Sequence, residues 1–435
     1  MSLEPEEPGF EAARSLRVAL IHHWLITMRG GERVVEALCQ LFPKADLFTL
    51  VCDADRISSH LARRSIKTSW IQHLPLARRR HSWYLPFFPT ALKSFELSGY
   101  DLVISSDVGF SKGVSVPAGV CHLCYCHTPM RYVWSGYQTY FNSLGSIWQR
   151  QIFASVAHSL RQWDLAAARQ VSEFAANSKN VARRIRQYYQ RDSRVIYPPV
   201  RLSDFLLAER AGDFYLAAGQ LVPYKRFDLA VKAFNRLGRP LIVAGDGPEL
   251  NRLRSLAGPT IQFVGRVSDD SLRRYLSECQ ALIFPGEEDF GIIAVEAHAS
   301  GRPVIALAKG GALETVIPGL NGVFFEEESV ESLAEAVERF ERIRETFRPD
   351  VLRGTARRFS QDRFRRAVMQ WVTAALGVRT KAASSSSCRR LPQAPDPGKS
   401  TREFLPVERS SATLGCGNGP LESLRRSRIA PLPND

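Results

Sequence analysis

Two glutamates on either side of a helix start are the side chains with the most evident chemical use in this sequence. An apolar run over residues 281–284 breaks at a Pro-Gly pair, and Glu288 follows in an acidic loop. A helical pattern then restarts at Gly291 and carries Glu296. This order of strand, loop and helix places Glu288 in the crevice at the carboxyl end of a strand. A carboxylate placed like Glu296 can accept two hydroxyl donors, as from the diol of a ribose.

The first turn of this predicted helix offers a different contact. Its backbone N–H groups carry the positive end of the helix dipole, so we expect a phosphate ester to bind there, in a gap between the two glutamates. The residues that contribute these groups are Phe290, Gly291, Ile292 and Ile293. The alternative interpretation is a solvated acidic loop followed by an exposed helical glutamate.

A glycine pair near the start of the chain predicts a second ligand-facing turn. Residues 17–25 have the pattern of a buried strand, Gly30 and Gly31 follow, and apolar residues then recur at helical spacing. Glycines between a strand and a helix let the backbone approach a ligand closely. Because the G-x-G-x-x-G pattern is absent, an ordinary tight turn is the alternative.

A histidine and a lysine follow two further predicted strands. His127 comes after a run over residues 119–126, and Pro129 ends that strand, so the histidine lies at its carboxyl edge and faces the crevice. Lys225 follows a strand over residues 214–219, where its ammonium can neutralise a diphosphate leaving group. The alternatives are a structural histidine and a lysine that is only solvated.

The cysteines before His127 superficially resemble a metal cluster. Side chains alternate along a strand, so Cys124 and Cys126 share one face, while Cys121 and His127 share the other. One face cannot gather four ligands. We therefore predict that these are small buried residues of a central strand and that the site holds no metal.

The spacing of Glu288 and Glu296, with Phe290 and Gly291 between them, resembles the E-x7-E signature of family 4 of the retaining GT-B glycosyltransferases. The resemblance implies an α/β fold in which two Rossmann-like domains face each other across a cleft. It also implies transfer of a hexose from a nucleotide diphosphate sugar to a glycan or lipid-linked acceptor, without a metal or other cofactor. The segments HTPMRYVW and LVPYKRFDLA resemble enzymes that use GDP-mannose for surface polysaccharide, which favours mannose.

The resemblance also implies roles for individual residues. Lys225 and the helix start stabilise the departing diphosphate, Glu288 holds hydroxyls of the donor sugar, and His127 orients that sugar. The residues implied to bind the donor are Gly30, Gly31, Gln220, Arg226, Arg266, Val267, Phe290, Gly291, Ile292, Ile293 and Glu296.

Gln220 departs from the family pattern, because relatives usually carry an arginine at this position. An amide donates a hydrogen bond but supplies no charge. Arg226 or Arg266 is expected to supply the missing positive contact, and the sequence leaves open which one does. Val267 follows a glycine-bearing strand end, which the resemblance implies presents backbone groups to a nucleobase; an ordinary strand-to-loop turn is the alternative.

Sequence patterns and changes in composition divide the chain into five segments, and the resemblance implies the roles of the two domains and the packing of the last helix. The segments are an N-terminal extension (1–16), an acceptor domain (17–200), a nucleotide-sugar domain (201–359), a helix that packs back on the first domain (360–376), and a disordered tail (377–435).

The overall charge favours anionic partners. The chain has 58 basic and 44 acidic residues, for a net charge of +14. Residues 63–95 contain no acidic side chain and combine an arginine cluster with aromatic residues. This segment fits a peripheral contact with an anionic membrane, and a solvated basic loop over core aromatics is the alternative.

The N-terminus is acidic and lacks the apolar core of a secretory signal, and the eight cysteines suggest reduced thiols. We therefore expect a cytoplasmic protein. Its basic and aromatic segment predicts a peripheral position on the inner face of a membrane. Two rival hypotheses are a phosphorylase-type GT-B enzyme and a basic nucleic-acid-binding or scaffold protein with an inert GT-B fold. No segment of the sequence has the pattern of a lysine that binds pyridoxal phosphate, and we do not expect a nucleic acid to be a partner.

Overall fold

Two parallel β-sheets covered by helices form the folded part of the protein. The structure is a computed structural model, and it describes residues 15–208 and 210–385. Parallel strands need long crossover connections, and the alternation of short apolar runs with helical patterns supplies them. The architecture confirms the predicted α/β fold of two Rossmann-like sheets.

The first sheet has seven strands in the spatial order β3-β2-β1-β4-β5-β6-β7. The strands are β1 Val18–Leu25, β2 Asp46–Cys52, β3 Ile66–Thr68, β4 Leu102–Asp107, β5 Cys121–Cys126, β6 Glu173–Ala176 and β7 Ser193–Val195. All neighbouring pairs are parallel. The strand order reverses between β1 and β4, and ligands bind outside the carboxyl ends of strands at such a point.

The second sheet has six strands in the order β10-β9-β8-β11-β12-β13. The strands are β8 Tyr215–Ala218, β9 Leu241–Ala244, β10 Ile261–Gly265, β11 Leu282–Phe284, β12 Val304–Leu307 and β13 Gly322–Phe325. Here the order reverses between β8 and β11, whose following loops carry Lys225 and Glu288. We call the part around the first sheet the first lobe (residues 15–200) and the part around the second sheet the second lobe (residues 201–359).

The helices of the first lobe are α1 Gly30–Leu41, α2 Ser59–Ala62, α3 Ala77–Arg80, α4 Phe88–Lys93, α5 Tyr137–Asn142, α6 Ile147–Gln170 and α7 Lys179–Tyr189. Those of the second lobe are α8 Phe227–Leu237, α9 Leu250–Leu256, α10 Asp269–Glu278, α11 Ile292–Ala299, α12 Ala312–Thr315, α13 Val330–Ile343 and α14 Pro349–Ala356. The last helix is α15 Gln361–Ser385.

Helix α15 leaves the second lobe and packs on the core of the first. Phe364 and Trp371 are buried in the same cluster as Val18 and Leu20 of β1. The indole N–H of Trp371 donates a hydrogen bond of 3.2 Å to the carboxylate of Glu173. The helix therefore ties the two lobes together.

Three sequence predictions differ from the structure in extent. The sequence over residues 65–71 predicts a strand, but the strand is confined to β3, and a 3₁₀ helix, Trp70–His73, follows it. The sequence over residues 331–347 predicts one helix, and the structure has α13 followed by a short 3₁₀ turn. Helix α15 continues past residue 376 to Ser385, so the first nine residues of the predicted disordered tail are helical. The rest of that tail, and residues 1–14, lie outside the described residues.

The cysteines of β5 are fully buried, as small strand residues are. Among the residues that the structure describes, no cluster of three or more His, Cys, Asp or Glu could hold a metal ion. Within the same ranges, no helix is both long enough and apolar enough to cross a bilayer.

Candidate active site

Three neighbouring cavities lie in the cleft between the lobes. The inner cavity has a volume of about 240 Å³, and its lining includes Gly30, Gly31, His127, Lys225, Glu288, Phe290, Gly291 and Ile292. The middle cavity of about 600 Å³ is lined in part by Arg29, Gln220, Arg266, Val267 and Ile293. The hinge cavity of about 890 Å³ is lined in part by Arg33, Arg266 and Glu296. Residues 27–31 and helix α11 contribute to all three, so the cavities form one cleft.

Lys225 and Glu288 form an ion pair at the inner cavity. The Nζ atom of Lys225 lies 2.9 Å from Oε1 of Glu288, and both side chains are mostly buried. Burial alone lowers the pKa of Lys225, but the carboxylate of Glu288 outweighs this effect and the pKa lies above its ordinary value. The lysine is therefore cationic at neutral pH and close to any anion that enters the cavity.

Arginines of the first lobe hold the acidic loop around Glu288. Asp289 accepts a hydrogen bond of 2.6 Å from Arg131 and pairs through its other oxygen with Arg184. Arg184 also contacts Glu287 at 2.8 Å. Glu287 and Asp289 thus fasten the loop across the cleft on either side of Glu288, which leaves Glu288 directed to Lys225.

His127 lies at the carboxyl end of β5 and is held in place by its surroundings. Its Nε2 atom is 2.9 Å from the hydroxyl of Ser106, and its backbone N–H donates to the carbonyl of Asp107 at 2.8 Å. Burial, and next the nearby ring of His22, lower the pKa of His127 to about 3. The imidazole is therefore neutral at physiological pH and acts as a hydrogen-bonding group without charge.

Gly291 allows the chain to turn from the acidic loop into α11. It adopts the left-handed conformation with φ of 77°, and a Cβ atom on it would lie 2.4 Å from the ring of Phe284. The turn directs the first N–H groups of α11 into the cleft, where Ile292 lines the inner cavity and Ile293 the middle one. The helix start therefore offers hydrogen-bond donors to both cavities.

Glu296 lies in a different part of the cleft from Glu288. It lines the hinge cavity and pairs with Arg33 of α1, with 2.7 Å between Oε1 and Nη1. Burial raises the pKa of Glu296, although Arg33 opposes this effect. The expectation that the two glutamates border one gap is therefore wrong. The seven intervening residues include about one turn of α11, which carries Glu296 away from the inner cavity.

The structure distinguishes the two arginines that were expected to supply the positive charge that Gln220 lacks. Arg226 has a φ of 52° and pairs with Asp228 and Glu328 on the second lobe, and it lines none of the three cavities. Its predicted role in donor binding does not fit this placement. Arg266 lines the middle and hinge cavities and donates to Thr27 at 3.0 Å.

All other predicted site residues line one of the three cavities, within the residues that the structure describes. The sequence reasoning missed Arg29, Arg33, Arg131, Arg184 and Asp289. Arg131 belongs to the segment HTPMRYVW and Asp289 to the acidic loop, so both were within motifs already singled out. The partners of Arg29 and Arg33 lie 191 and 263 residues away, and no local pattern indicates them.

Chemically, the inner cavity combines one cation, one carboxylate, a neutral imidazole and an open helix start. The cation and the backbone N–H groups suit an anion, while the carboxylate and imidazole suit the hydroxyl groups of a polar ligand.

Two family models match consecutive parts of the chain. The model described as Glycosyltransferase Family 4 matches residues 28–204, and the model described as Glycosyl transferases group 1 matches residues 206–350. Together the two matches cover both lobes, including the loops that line the cleft.

Curated relatives are similar to parts of the chain. An uncharacterized glycosyltransferase of Methanocaldococcus jannaschii is 30% identical over 165 residues, which are 37% of this chain and 47% of that protein. A GDP-mannose-dependent alpha-(1-6)-phosphatidylinositol monomannoside mannosyltransferase of Mycobacterium tuberculosis is 34% identical over 136 residues, 27% of this chain and 35% of that protein. Both alignments thus span less than half of the relative.

Solved structures share the fold at low identity. The Anabaena protein HepE, in complex with UDP, has a TM-score of 0.62 at 15% identity and covers 82% of this chain and 100% of its own. Sucrose-phosphate synthase of Thermosynechococcus elongatus has a TM-score of 0.65 at 20% identity, with 85% and 100% covered. Two facing Rossmann-like lobes and the two matched family models lead to one conclusion: the chain belongs to family 4 of the GT-B glycosyltransferases.

Proposed function

We propose that this glycosyltransferase moves a hexose, with retention of configuration, from a nucleotide diphosphate sugar to a glycan or lipid-linked acceptor in surface polysaccharide synthesis. The observation that carries the proposal is the placement of Lys225, Glu288 and the start of α11 around one small cavity. A sugar fits beside the carboxylate, and its phosphate fits against the lysine and the helix start.

The main chemical difficulty in this reaction is the departure of the nucleoside diphosphate. Negative charge grows on the leaving oxygen as its bond to the sugar breaks, so fixed donors aimed at that oxygen lower the barrier. Lys225 and the N–H groups at Gly291 are such donors, each worth about 3 kcal/mol. No metal or other cofactor is needed in this scheme, because the chain itself supplies the compensating charge.

The donor sugar is bound in this proposal when Lys225 and Glu288 exchange partners. The ammonium turns from the carboxylate to the diphosphate, and Glu288 then accepts hydrogen bonds from sugar hydroxyls. His127, neutral and held by Ser106, orients the sugar from the first lobe. Glu296 accepts the ribose hydroxyls in competition with Arg33, while Gly30 and Gly31 allow close approach of the backbone.

Mannose, carried by GDP, is the sugar we propose. Two observations support it: the mycobacterial relative is named as GDP-mannose-dependent, and the segments around His127 and Lys225 resemble enzymes of that specificity.

A thermal-shift screen tests the donor. A ligand that binds only the folded state stabilises it by about 2.7 kcal/mol at about 100 times its Kd. We expect GDP-mannose to raise the melting temperature most among common nucleotide sugars, with free mannose giving no shift. A shift with another nucleotide sugar would correct the choice of mannose. If duplex DNA shifted the melting temperature and no nucleotide sugar did, the proposal would fail and a nucleic-acid-binding role would replace it.

We also propose that the protein works as a peripheral protein on the inner, anionic face of a membrane. Trp83 and Phe87 of the first lobe are 61% and 51% exposed, and the guanidinium of Arg80 lies 5.5 Å from the Trp83 ring centre. Arg78 and Arg79 are exposed beside them. Exposed aromatics next to arginines suit the headgroup region of a bilayer, where rings enter the interface and cations meet phosphates. Exposed Trp148 and Ile152 on α6 extend the apolar surface of this lobe.

Vesicle sedimentation tests the membrane contact. We expect binding to vesicles that contain phosphatidylglycerol, and weaker binding at high salt because salt screens the arginines. The pair Trp83→Ser and Phe87→Ser should release the protein from these vesicles. The matched pair Leu320→Ser and Ile343→Ser, on exposed apolar residues of the second lobe, should not. Equal binding by both double variants, or none by the wild type, would contradict the contact.

A further inference from the structure

Arg29 reaches across the cleft to the position where the family usually has an arginine. It precedes the glycine pair in the first lobe, and its Nη1 atom donates a hydrogen bond of 2.9 Å to Oε1 of Gln220 in the second lobe. Both residues line the middle cavity. The guanidinium is thus brought to Gln220 from the opposite lobe, 191 residues away in the sequence.

Within the described residues, the guanidinium of Arg29 forms no ion pair, although its charge is among the causes that lower the pKa of Glu32. By contrast, Lys225 pairs with Glu288 and Arg131 with Asp289. The side-chain partner of Arg29 is a neutral amide oxygen, which holds one N–H group of the guanidinium without neutralising its charge. An arginine in such a setting suits a dianionic or trianionic ligand.

The position of Gln220 relates Arg29 to Lys225. Gly219 precedes Gln220, and a Cβ atom on Gly219 would lie 3.1 Å from the Nζ atom of Lys225. Lys225 thus lies beside Gly219, and Arg29 contacts the side chain of the next residue, so the two cations are brought to adjacent residues after β8. Arg266, the other arginine of the middle cavity, is held instead by Thr27 and lies toward the hinge cavity.

We propose that Arg29 supplies the second positive charge for the donor diphosphate and that Gln220 holds its guanidinium in place. The inference rests on the proposed function, and it adds a residue of the first lobe to a phosphate site otherwise built by the second. The diphosphate then bridges the lobes, with Lys225 on one side and Arg29 on the other.

A charge-relocation experiment tests this assignment. Four proteins are compared: the wild type, Arg29→Gln, Gln220→Arg, and the double variant Arg29→Gln/Gln220→Arg, which has the same net charge as the wild type. Affinities for GDP and for guanosine, which lacks phosphates, are measured by calorimetry. The control is Arg236→Gln, the same substitution at an exposed ion pair of the second lobe.

We expect Arg29→Gln to weaken GDP binding on the order of 10²-fold and to leave guanosine binding unchanged, because only the phosphates lose a charged partner. The double variant should recover most of the loss, since it returns a guanidinium to the same place from the other lobe. Arg236→Gln should bind both ligands like the wild type.

Two results would overturn the assignment. One is GDP affinity in Arg29→Gln equal to that of the wild type, and the other is a double variant as weak as Arg29→Gln. Both leave the proposed function intact, since the wild type still binds GDP in each case. Failure of the wild type to bind any nucleoside diphosphate would instead be the failure of the proposed function.

Discussion

The Glu288→Ala protein should fold and still bind GDP, yet sugar transfer should fall by at least about 10²-fold, to near the background rate. Glu288 lies in the inner cavity beside Lys225, on a loop that Arg131 and Arg184 fasten through its neighbours. These fastening contacts do not involve the Glu288 side chain, so the loop keeps its place in the variant. What is lost is the acceptor for the sugar hydroxyls, and with it the orientation of the reacting carbon.

Initial rates with GDP-mannose, together with calorimetric affinities for GDP, measure this effect. Glu288→Gln, which keeps the size and one acceptor oxygen, should retain more activity than Glu288→Ala. Glu331→Ala removes an exposed carboxylate of α13 and should transfer sugar at the wild-type rate. Ordinary turnover by Glu288→Ala would remove this residue from the mechanism.

Replacing Lys225 by alanine should reduce kcat by about 10²- to 10³-fold, the usual cost of removing one fixed donor from a developing negative charge. Unlike Glu288→Ala, this variant should also bind GDP more weakly, because the lysine contacts the diphosphate both before and after transfer. Its affinity for guanosine should stay the same. The fold should tolerate the change, because the carboxylate of Glu288 keeps some access to solvent.

The conservative variant Lys225→Arg separates charge from structure. It keeps the positive charge on a longer side chain, so part of the GDP affinity should return while kcat stays low. If Lys225→Ala and Lys225→Arg both kept the wild-type kcat and GDP affinity, the leaving group would have to bind elsewhere in the cleft.

Much of the inner cavity could be predicted because its residues follow strands directly. A parallel strand delivers the next residues to the carboxyl edge of the sheet, and this local rule placed His127, Lys225 and Glu288 around one cavity. The glycine pair after β1 reaches the same cavity by the same rule. The helical patterns over residues 147–170 and 227–237 likewise predict the bounds of α6 and α8.

Contacts between the lobes could not be predicted in this way. Arg29 meets Gln220, and Arg33 meets Glu296, only because two separate sheets face each other at a certain distance and angle. Sequence spacing carries no information about that geometry. The arrangement of the two sheets also explains why Glu296, although close to Glu288 in the sequence, lines a different cavity.

The length of helix α15 illustrates a different limit. The change to serines and little apolar content after residue 376 predicts an end of the helix there, and Gly377 inside the helix costs only about 1 kcal/mol relative to alanine. Packing of the preceding turns on the first lobe and the good helix formers that follow Gly377 offset this cost, so the helix runs on to Ser385.

If the cleft binds a nucleotide sugar by its diphosphate, a crystal structure of the protein with GDP bound will show it. We predict phosphate oxygens within hydrogen-bond distance of the Lys225 ammonium and of the backbone N–H groups at the start of α11, with the nucleoside extending into the middle cavity. GDP bound outside the cleft, or phosphates remote from both groups, would contradict it.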